Sequence, residues 1–405
     1  KYYKALNNLY EDFLVCLKNK SRNKIVLDFG CGNGVYTEKV LNFNPSKIIA
    51  IDIPSGINPD SGLIDSSCVQ VDKTFILGLY KIGMFENPKP EYYGQKSVLD
   101  IGLPINICKN INYDLITKSW VKKYIPKRSL SASKEDFGKV LMIVGSKDYP
   151  GAAGLAANAA MRSGAGLVTI GLTESIKHIV SNNKIESVFL TLPSNKSGNI
   201  LPTKAIKLIE KKIIYQNVLL YGCGISQSKE MENLTKLILF SKINFPNIII
   251  DADGLNALAK LNNQGVRWWE NIPQHTILTP HIKEMSRLTG IEIKDIQKNR
   301  ISISLKFAKI WNKIVILKGP NTIIAFPDKT LMVSPFATPL LATAGTGDVL
   351  AGLIAGLIAQ KLPPHIAAGV GVYIHGEAAI LASHNLKVNN IIAVSYTHLT
   401  LPTKA

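Results

Sequence analysis

Several features that would assign this 405-residue chain to a simple class are scarce or missing. Its cysteines form no Cys-x-x-Cys pair and their total is odd, which argues against a disulfide scaffold and a structural zinc site and favours a reducing cytoplasm. They are Cys16, Cys31, Cys68, Cys108 and Cys223. The longest apolar run, residues 349–357, is bounded by Asp348 and Gln360-Lys361 and is short, so we expect no membrane-spanning role. With 46% hydrophobic residues the chain is too apolar to be disordered, and its length favours two domains.

Arginine is scarce in a chain that is otherwise rich in positive charge. There are 47 basic residues against 29 acidic ones, a net charge of +18, yet only six of the 47 are arginine. Because base reading and bidentate phosphate contacts favour the guanidinium group, we expect no nucleic-acid partner. A lysine-rich surface would instead attract nucleotides, which are small polyanions. The chain begins with Lys1 and not with Met, so we expect a truncated N-terminus. The first twenty residues contain no apolar segment of the signal-peptide type.

Short apolar runs rich in β-branched residues alternate with helical stretches, which predicts an α/β fold. The predicted strands are residues 24–27, 47–51, 140–144, 217–220, 247–250 and 314–317, and the predicted helices include 154–163, 203–212, 283–289 and 348–357. Prolines and polar residues interrupt this alternation, so we predict domains at 1–105 and 129–393 joined by a linker at 106–128. Residues 394–405 resemble a translated sequencing-adapter artefact, and a disordered terminus is the alternative.

One glycine-rich helix start carries an acidic residue. Gly345-Thr346-Gly347-Asp348 precedes the apolar run, and glycines at a helix start let backbone N–H groups approach a phosphate that the helix dipole also favours. An acidic residue there would repel a phosphate unless it served as a base. Asp348 is therefore a candidate general base for a substrate hydroxyl that attacks phosphorus. A carboxylate that only stabilises the helix dipole is an equal alternative for this motif alone.

Three more turns with glycines or charged residues follow predicted strands. They are Gly222-Cys223-Gly224, Asp251-Ala252-Asp253-Gly254 and Lys318-Gly319-Pro320-Asn321-Thr322. Because the carboxyl ends of parallel strands meet at one edge of a sheet, these turns are expected to converge on one crevice that suits a nucleotide. For any single turn, a glycine that merely permits a tight connection is the better interpretation, so the hypothesis depends on the whole set.

Further motifs complete the pattern. They are residues 251–258 (Asp-Ala-Asp-Gly-Leu-Asn-Ala-Leu), Leu278-Thr279-Pro280-His281 with Glu284, the Lys318-Gly319 turn, residues 342–352 (ATAGTGDVLAG), and upstream Phe137-Gly138-Lys139 and Tyr149-Pro150-Gly151-Ala152. This run resembles the ribokinase-like NAD(P)H-hydrate dehydratase family over residues 115–392. The resemblance implies a three-layer α/β/α domain. It also implies an ADP-dependent dehydration of (S)-NAD(P)H-hydrate to NAD(P)H with release of AMP and phosphate, and ADP or ATP with Mg²⁺ as cofactors.

The resemblance also implies roles residue by residue. Positions that line the hydrated dinucleotide match Ala152, Gly224, His281 and Asp348, and Asp348 is the catalytic base. Positions that hold the nucleotide match Lys318, Gly319, Pro320, Asn321, Thr322, Gly345, Thr346 and Gly347. Ile282-Lys283 departs from the Pro-Gly that the family usually has before the acidic residue, and His281 can equally be a capping side chain. His375 is expected to be a packed helix residue.

The first region carries a second set of motifs. Asp52-Ile53-Pro54-Ser55-Gly56 follows a predicted strand, and residues 72–74, 81–83, 93–94 and 100–104 continue the pattern. This run resembles the C-terminal half of the NAD(P)H-hydrate epimerase domain, which is commonly fused ahead of the dehydratase. It implies a partial Rossmann-like α/β domain in which Asp52 contacts the hydrate and Ser55 helps to bind K⁺. The Asn-Asn-Gly-Gly-Asp loop of that family is absent, so we do not expect a working epimerase. A proline-fixed turn with a capping Asp is the alternative.

Residues 26–34 (Val-Leu-Asp-Phe-Gly-Cys-Gly-Asn-Gly) allow two interpretations. They resemble motif I of the S-adenosylmethionine methyltransferases, in which Asp52, at a later strand end, would take the ribose hydroxyls. They also resemble a variant of the epimerase Asp-x-x-Phe-Gly-x-Gly loop. Both interpretations stay open in the sequence, and residues 1–45 are assigned to neither family.

These observations predict a cytoplasmic metabolite-repair enzyme, a homo-oligomer that binds NAD(P)H-hydrate and ADP and carries a remnant of an epimerase domain. The first alternative is a ribokinase-type kinase of a small alcohol, which shares the acidic helix start but stops at the phosphorylated product. The second is a nucleotide-binding regulatory module without turnover, in which Asp348 has no catalytic role.

Overall fold

The computed structural model describes residues 11, 14–30, 32, 34–104, 106, 111–182, 186–241, 243–387 and 391–397. The chain divides into two compact units. The first unit comprises Lys1–Ile111 with Gln297–Arg300, and the second comprises Asn112–Ile296 with Ile301–Ala405. Within the described residues, strands form one sheet of four in the first unit and one sheet of ten in the second.

The strands and helices alternate along most of the chain, as the apolar pattern predicts. The strands are β1 (Ile25–Asp28), β2 (Lys47–Ile51), β3 (Lys73–Leu77), β4 (Gln95–Leu99), β5 (Tyr113–Leu115), β6 (Lys139–Ile143), β7 (Leu167–Thr173), β8 (Val188–Leu192), β9 (Val218–Tyr221), β10 (Asn247–Ile250), β11 (Ile277–Leu278), β12 (Ile314–Leu317), β13 (Ile323–Ala325) and β14 (Leu331–Val333). The helices are α1 (Val35–Leu41), α2 (Gly83–Glu86), α3 (Pro90–Tyr93), α4 (Lys118–Tyr124), α5 (Pro150–Arg162), α6 (Glu174–Ser181), α7 (Pro202–Ile213), α8 (Lys229–Leu239), α9 (Asp253–Asn263), α10 (Ile282–Thr289), α11 (Ile293–Lys298), α12 (Arg300–Trp311), α13 (Thr346–Ala359), α14 (Pro364–Leu386) and α15 (Ala393–Thr397). Short 3₁₀ helices span Trp268–Glu270 and Pro339–Leu341.

The sheet of the first unit is parallel, in the order β1-β2-β3-β4. Alternate residues of β2 and β3 are buried, among them Ile48, Ala50 and Ile76. On the edge strand β1, Ile25 and Leu27 are exposed. The face of this sheet that carries Ile48 and Ala50 is therefore the buried, apolar face.

The sheet of the second unit has the order β5-β14-β13-β12-β11-β10-β9-β6-β7-β8. The strands from β12 to β8 pair in parallel, so their carboxyl ends lie along one edge. The strands β12, β13 and β14 pair antiparallel and form a meander beyond that block. The four residues of β9 and of β12 are all buried, which is typical of parallel strands covered by helices on both faces.

Close packing of α13 on α5 fixes the core of the second unit. Helix α13 is buried along most of its length, and α5 presents a row of buried alanines to the core. A Cβ atom on Gly352 would collide with the backbone of Ala156, and one on Gly356 would collide with Ser163 and Ala160. Since only glycine allows two helices to approach this closely, these positions hold the first turn of α13, and with it the Gly345–Asp348 segment, in place.

Helix α14 is long and apolar enough, by length and composition, to cross a membrane. However, 72% of its apolar stretch is buried inside the protein, and its residues belong to the core cluster of the second unit. His375 of this helix is buried, as the sequence predicts for a packed helix residue. Burial of a core helix thus accounts for its composition.

The structure differs from the predicted domain limits at two places. Residues 112–128, predicted to be part of a linker, contain β5, which pairs with β14, and α4, whose Thr117 side chain caps Trp120 N. At the other end, the segment 394–405, predicted to be outside the fold, contributes residues 394–397 to helix α15, and the preceding Ile391 and Ala393 are buried. A three-residue strand and helices of five to seven residues carry too little apolar pattern to be recognised in a sequence.

The described cysteines Cys16, Cys68 and Cys223 are free thiols, and Cys31 and Cys108 lie outside the described residues. Cys223 is fully buried, whereas Cys16 is exposed. These three cysteines form no disulfide with one another, and the expectation for all five stays a prediction.

Candidate active site

Four strand ends and one helix start of the second unit meet at one edge of the sheet. Cys223 follows β9, Asp251 follows β10, Thr279 follows β11 and Lys318 follows β12, while Asp348 lies in the first turn of α13. Gly345, the residue before α13, has a φ of 85°. Since a side chain is strained in that conformation, the glycine permits the turn that aims the helix N-terminus at the strand ends.

Lys318 and two carboxylates form the charged centre of this crevice. The Nζ atom of Lys318 lies 2.7 Å from Oδ1 of Asp251 and 3.8 Å from Oε2 of Glu284. Thr279 Oγ1 donates to the same Oδ1 of Asp251 at 2.7 Å. Burial alone would lower the pKa of Lys318, but the charges of Asp251 and Glu284 outweigh it, and the pKa lies above its ordinary value. The two carboxylates therefore keep the Lys318 ammonium protonated and fix its position in the crevice.

Asp348 is a carboxyl group that titrates close to neutral pH. Its pKa is raised from 3.8 to about 7, first by burial and next by the negative charge of Asp251. The neighbouring Cys223 thiol and the charge of Lys318 act in the opposite direction. Because a general base works best when its pKa is near the working pH, this environment suits the role that the sequence predicts for Asp348.

His281 and Glu284 form a capping box at the start of α10. Glu284 N donates to Nδ1 of His281 at 3.1 Å, and His281 N donates to Oε2 of Glu284 at 2.8 Å. The interpretation of His281 as a helix cap is confirmed, and its contact with a substrate stays a prediction. Burial raises the pKa of Glu284 to about 7, against the attraction of Lys318, while burial and Lys318 lower the pKa of His281.

The predicted nucleotide loop 318–322 is shaped by its own hydrogen bonds. Asn321 Nδ2 donates to the carbonyl oxygen of Ser334 at 3.0 Å, and Thr322 Oγ1 donates to that of Gly319 at 3.0 Å. Thr346 Oγ1 likewise donates to the carbonyl oxygen of Thr343 at 2.9 Å. These three side chains therefore set the backbone course of the two loops. Contact with the nucleotide stays a prediction for all eight residues, which are Lys318, Gly319, Pro320, Asn321, Thr322, Gly345, Thr346 and Gly347.

Ala152 and Gly224, predicted to line the substrate, are neighbours in the structure. A Cβ atom on Gly224 would lie 2.8 Å from Cβ of Ala152, so the backbone after β9 runs directly over the start of α5. Next to this contact is a cavity of about 160 Å³. It is lined by residues that follow β6, β7, β8 and β9, including Ser146, Thr173, Asn199 and Ser226. The turn after β9 therefore borders this cavity through Ser226 and the acidic crevice through Cys223.

The part of the chain that the structure describes contains one group with the spacing of metal ligands, formed by Cys223, Asp251 and Asp348. This set does not fit a resident Mg²⁺, which prefers oxygen ligands in an octahedral arrangement. One of its three members is a thiol, and the ammonium of Lys318 already neutralises Asp251 at 2.7 Å. Mg²⁺ is commonly held largely by the phosphates of a bound nucleotide.

In the first unit, the two predicted site residues are engaged within the protein. Asp52 Oδ1 lies 2.7 Å from Nζ of Lys81 and accepts from the Leu77 N–H at 3.0 Å. The buried Ser55 donates its hydroxyl to Oδ1 of Asp28 at 2.5 Å, and Ser55 N donates to Oδ2 of the same residue. Asp28 thereby ties the end of β1 to the turn after β2. The cysteine and the asparagine of the motif at 26–34 lie outside the described residues.

The predicted convergence of the turns at 222–224, 251–254 and 318–322 on one crevice is confirmed. The sequence did not show that Asp251, Glu284 and Thr279 form one network with Lys318, or that the Cys223 thiol lies next to Asp348. Asp251 and Thr279 directly follow predicted or short apolar strands, and this position is the signal that could have identified them. The pairing with Lys318 depends on strand order, which a single sequence does not display.

The fold and the acidic helix start define the class of this protein, a ribokinase-like three-layer α/β/α domain that follows a smaller parallel α/β unit. Two family profiles match the chain, NAD(P)H-hydrate dehydratase over residues 140–399 and the YjeF-related protein N-terminus over residues 34–83. The first covers more than half of the chain, which therefore belongs to the NAD(P)H-hydrate dehydratase family. The resemblance of the two regions to the dehydratase and epimerase families, which the sequence predicted, is confirmed.

Curated relatives are named bifunctional NAD(P)H-hydrate repair enzyme Nnr. The one from Moorella thermoacetica is 36% identical over 341 residues, which are 84% of this chain and 63% of that protein. The one from Coxiella burnetii is 31% identical over 93% of this chain and 75% of its own length. The chain thus spans somewhat less than two thirds of the length of the Moorella relative and 66% of that from Dictyoglomus turgidum.

Solved structures agree with the fold of the second unit. The ADP/ATP-dependent NAD(P)H-hydrate dehydratase from Bacillus subtilis, co-crystallised with ATP/Mg²⁺, has a TM-score of 0.60 at 28% identity. The similarity covers 72% of this chain and 97% of that one. A ribokinase-like protein from Enterococcus faecalis has a TM-score of 0.61 at 23% identity and covers 71% and 94%, which supports the fold alone.

Proposed function

We propose that the second unit is an ADP- or ATP-dependent dehydratase that restores NAD(P)H from (S)-NAD(P)H-hydrate and releases AMP and phosphate when ADP is used. The observation that carries this proposal is the buried Asp348, with a pKa near 7, at a glycine-led helix start beside the Lys318 loop. Family membership and the ATP/Mg²⁺ co-crystal of the Bacillus subtilis relative support the choice of ligands.

The geometry supports a sequence of proton and phosphoryl movements. Asp348 accepts the proton of the substrate hydroxyl while the hydroxyl oxygen attacks the terminal phosphorus of the nucleotide. Backbone N–H groups at the start of α13 and the ammonium of Lys318 stabilise the charge on the transferred phosphoryl group. The phosphate then leaves with its C–O electron pair, and loss of a proton from the adjacent ring carbon restores the double bond. Mg²⁺ would enter on the nucleotide phosphates and screen their charge.

Product analysis tests this proposal. The protein is incubated with hydrated NADH and ADP, and AMP, phosphate and NADH are quantified by chromatography and absorbance. We expect the three in equal amounts, and Asp348→Asn should lower kcat by roughly two or more orders of magnitude, as loss of a general base does. Asp253→Asn is the matched control, because the Asp253 carboxylate accepts from Ser226 N and heads the neighbouring helix. Formation of ADP from ATP with a small alcohol, and no NADH, would instead favour the kinase alternative.

For the first unit we propose an epimerase-like remnant without epimerase activity. The match to the YjeF-related N-terminus begins only at residue 34, and Asp52 is paired with Lys81. A K⁺ ion at Ser55, which the resemblance implies, would share the hydroxyl oxygen with Asp28. Chiral chromatography of the R and S hydrates with the full chain tests this: interconversion faster than the spontaneous rate would restore the epimerase interpretation. We also propose that the protein is cytoplasmic and forms a homo-oligomer.

A further inference from the structure

Cys223 occupies a turn whose backbone is closely constrained by its neighbours. The residue is fully buried, and its carbonyl oxygen accepts from Gly145 N at 2.8 Å. Both neighbours are glycines with positive φ, at 118° for Gly222 and 60° for Gly224. A Cβ atom on Gly222 would collide with the carbonyl oxygen of Asp251, and one on Gly224 would press against α5. The turn therefore cannot rotate to move the thiol elsewhere.

This fixed thiol faces the two carboxylates of the acidic crevice. Its S–H group donates to Oδ2 of Asp251, with 3.7 Å between Sγ and the oxygen. The Sγ atom and one oxygen each of Asp251 and Asp348 lie within 4.8 Å of one another. The other oxygen of Asp251, Oδ1, is already engaged by Lys318 and Thr279. The thiol is thus placed between the oxygen that Asp251 has left over and the carboxylate of the predicted base.

The surroundings keep this thiol protonated. Burial, followed by the charges of Asp251 and Asp348, raises the pKa of Cys223 well above its ordinary value. A buried S–H group is a weak hydrogen-bond donor and a poor nucleophile. The titratable groups that act on Asp348 are Cys223 after β9, Asp251 and Asp253 after β10, and Lys318 after β12. Glu284 in α10 and His375 in α14 interact with Lys318.

We propose that Cys223 is a positioning residue, whose single S–H group turns from Oδ2 of Asp251 to the neighbouring Asp348 carboxylate when Asp348 is ionised, and so holds that carboxylate ready to accept the proton of the substrate. The inference rests on the proposed dehydratase function for its kinetic measurement. The inference itself rests on the position of the thiol next to the two carboxylates. Removal of this donor should make Asp348 harder to ionise, whereas a serine hydroxyl at the same place should keep a donor.

The test compares Cys223→Ala, Cys223→Ser and, as a control cysteine of the first unit, Cys68→Ala. We expect the acidic limb of the kcat profile of Cys223→Ala to move up by about half to one pH unit. The corresponding loss in kcat is about three- to ten-fold near pH 6 and less than about two-fold near pH 9. Cys223→Ser should restore most of the wild-type profile, Cys68→Ala should match the wild type, and the Kd of the nucleotide should not change.

A second measurement requires no turnover. The ¹³C resonance of the Asp348 carboxyl, assigned with Asp348→Asn, is titrated in wild type and in Cys223→Ala, and the same upward shift of its midpoint is expected. An unmoved midpoint, or a kcat loss that is equal at all pH values, overturns the role of Cys223. A wild type that titrates as expected but yields no NADH at any pH contradicts the dehydratase proposal instead.

Discussion

At the scale of single residues, the protein keeps a carboxyl group where it is costly to ionise. Burial raises the pKa of Asp348 from 3.8 to about 7, so the folded state binds its proton more tightly than the unfolded state does. The stabilising contribution of this group is therefore complete below about pH 4 and is lost as the pH rises through about 7. At higher pH the folded protein contains a buried charge that the unfolded chain solvates freely.

Asp348→Asn should therefore be more stable than the wild type above neutral pH. We expect the free energy of unfolding of the ligand-free variant to exceed that of the wild type by on the order of 2–4 kcal/mol near pH 8. The difference should vanish near pH 4, where both side chains are neutral. Urea denaturation at a series of pH values measures it. A difference that is constant with pH would show that Asp348 is not held above its ordinary pKa.

The sequence identifies Asp348 but not the residues that tune it. An acid in a glycine-rich helix start is visible in a few consecutive residues, whereas Cys223, Asp251 and Lys318 reach it from separate strand ends. Separation along the chain also explains why the sequence did not show the ion pair of Lys318. A lysine in a strand-end turn predicts a contact with phosphate, yet the folded chain also sets its ammonium 2.7 Å from Asp251. Removal of Lys318 would therefore leave buried carboxylates unpaired as well as weaken nucleotide binding.

At the scale of elements, the contact of α13 with α5 positions the helix start. Gly352→Ala should force the two helices apart, since its Cβ would collide with Ala156. We expect a loss of about 1–3 kcal/mol in the free energy of unfolding, the usual cost of overpacking, together with a lower kcat. Gly151→Ala is the matched control in α5, because its Cβ would meet no heavy atom within 4 Å. Equal melting temperatures of the two variants would contradict the close packing.

Elements with a long apolar signal are the ones that the sequence predicts well. The strands at 47–51, 247–250 and 314–317 have the predicted bounds, and the helix predicted at 348–357 extends to Thr346–Ala359. The strands β5, β13 and β14 have three residues each. They form through pairing with distant partners, such as β14 with β5, so their own residues carry little information about them.

At the scale of the whole molecule, the second unit contains its own sheet, core and crevice. A fragment of residues 112–397 should fold and dehydrate the hydrate alone, and a fragment of residues 112–387 should melt at a lower temperature. The reason is that Thr343 Oγ1 donates to the carbonyl oxygen of Ile391 at 3.1 Å, while Ile391 and Ala393 are buried. Calorimetry of the two fragments provides the comparison. Identical melting temperatures would show that residues 388–397 contribute nothing.

The sequence placed the division between the units close to where the contacts place it. The predicted linker at 106–128 includes the observed boundary between Ile111 and Asn112. What the sequence could not show is that residues after this boundary complete the edge of the large sheet, because β5 pairs with a strand more than two hundred residues later. The C-terminal helix was missed for a similar reason, since its burial depends on α14 and α5.

The pair of half-titrated carboxyl groups has a consequence for the heat of ligand binding. Asp348 and Glu284 both have pKa values of about 7, so near neutral pH each is only partly protonated in the empty crevice. A polyanion that binds beside them will raise both values and draw protons from the solution. The enthalpy of nucleotide binding measured by calorimetry should therefore depend on the ionisation enthalpy of the buffer. A plot of the binding enthalpy against the ionisation enthalpy of the buffer should have a slope that corresponds to uptake of up to about one proton near pH 7. This slope should fall towards zero near pH 4.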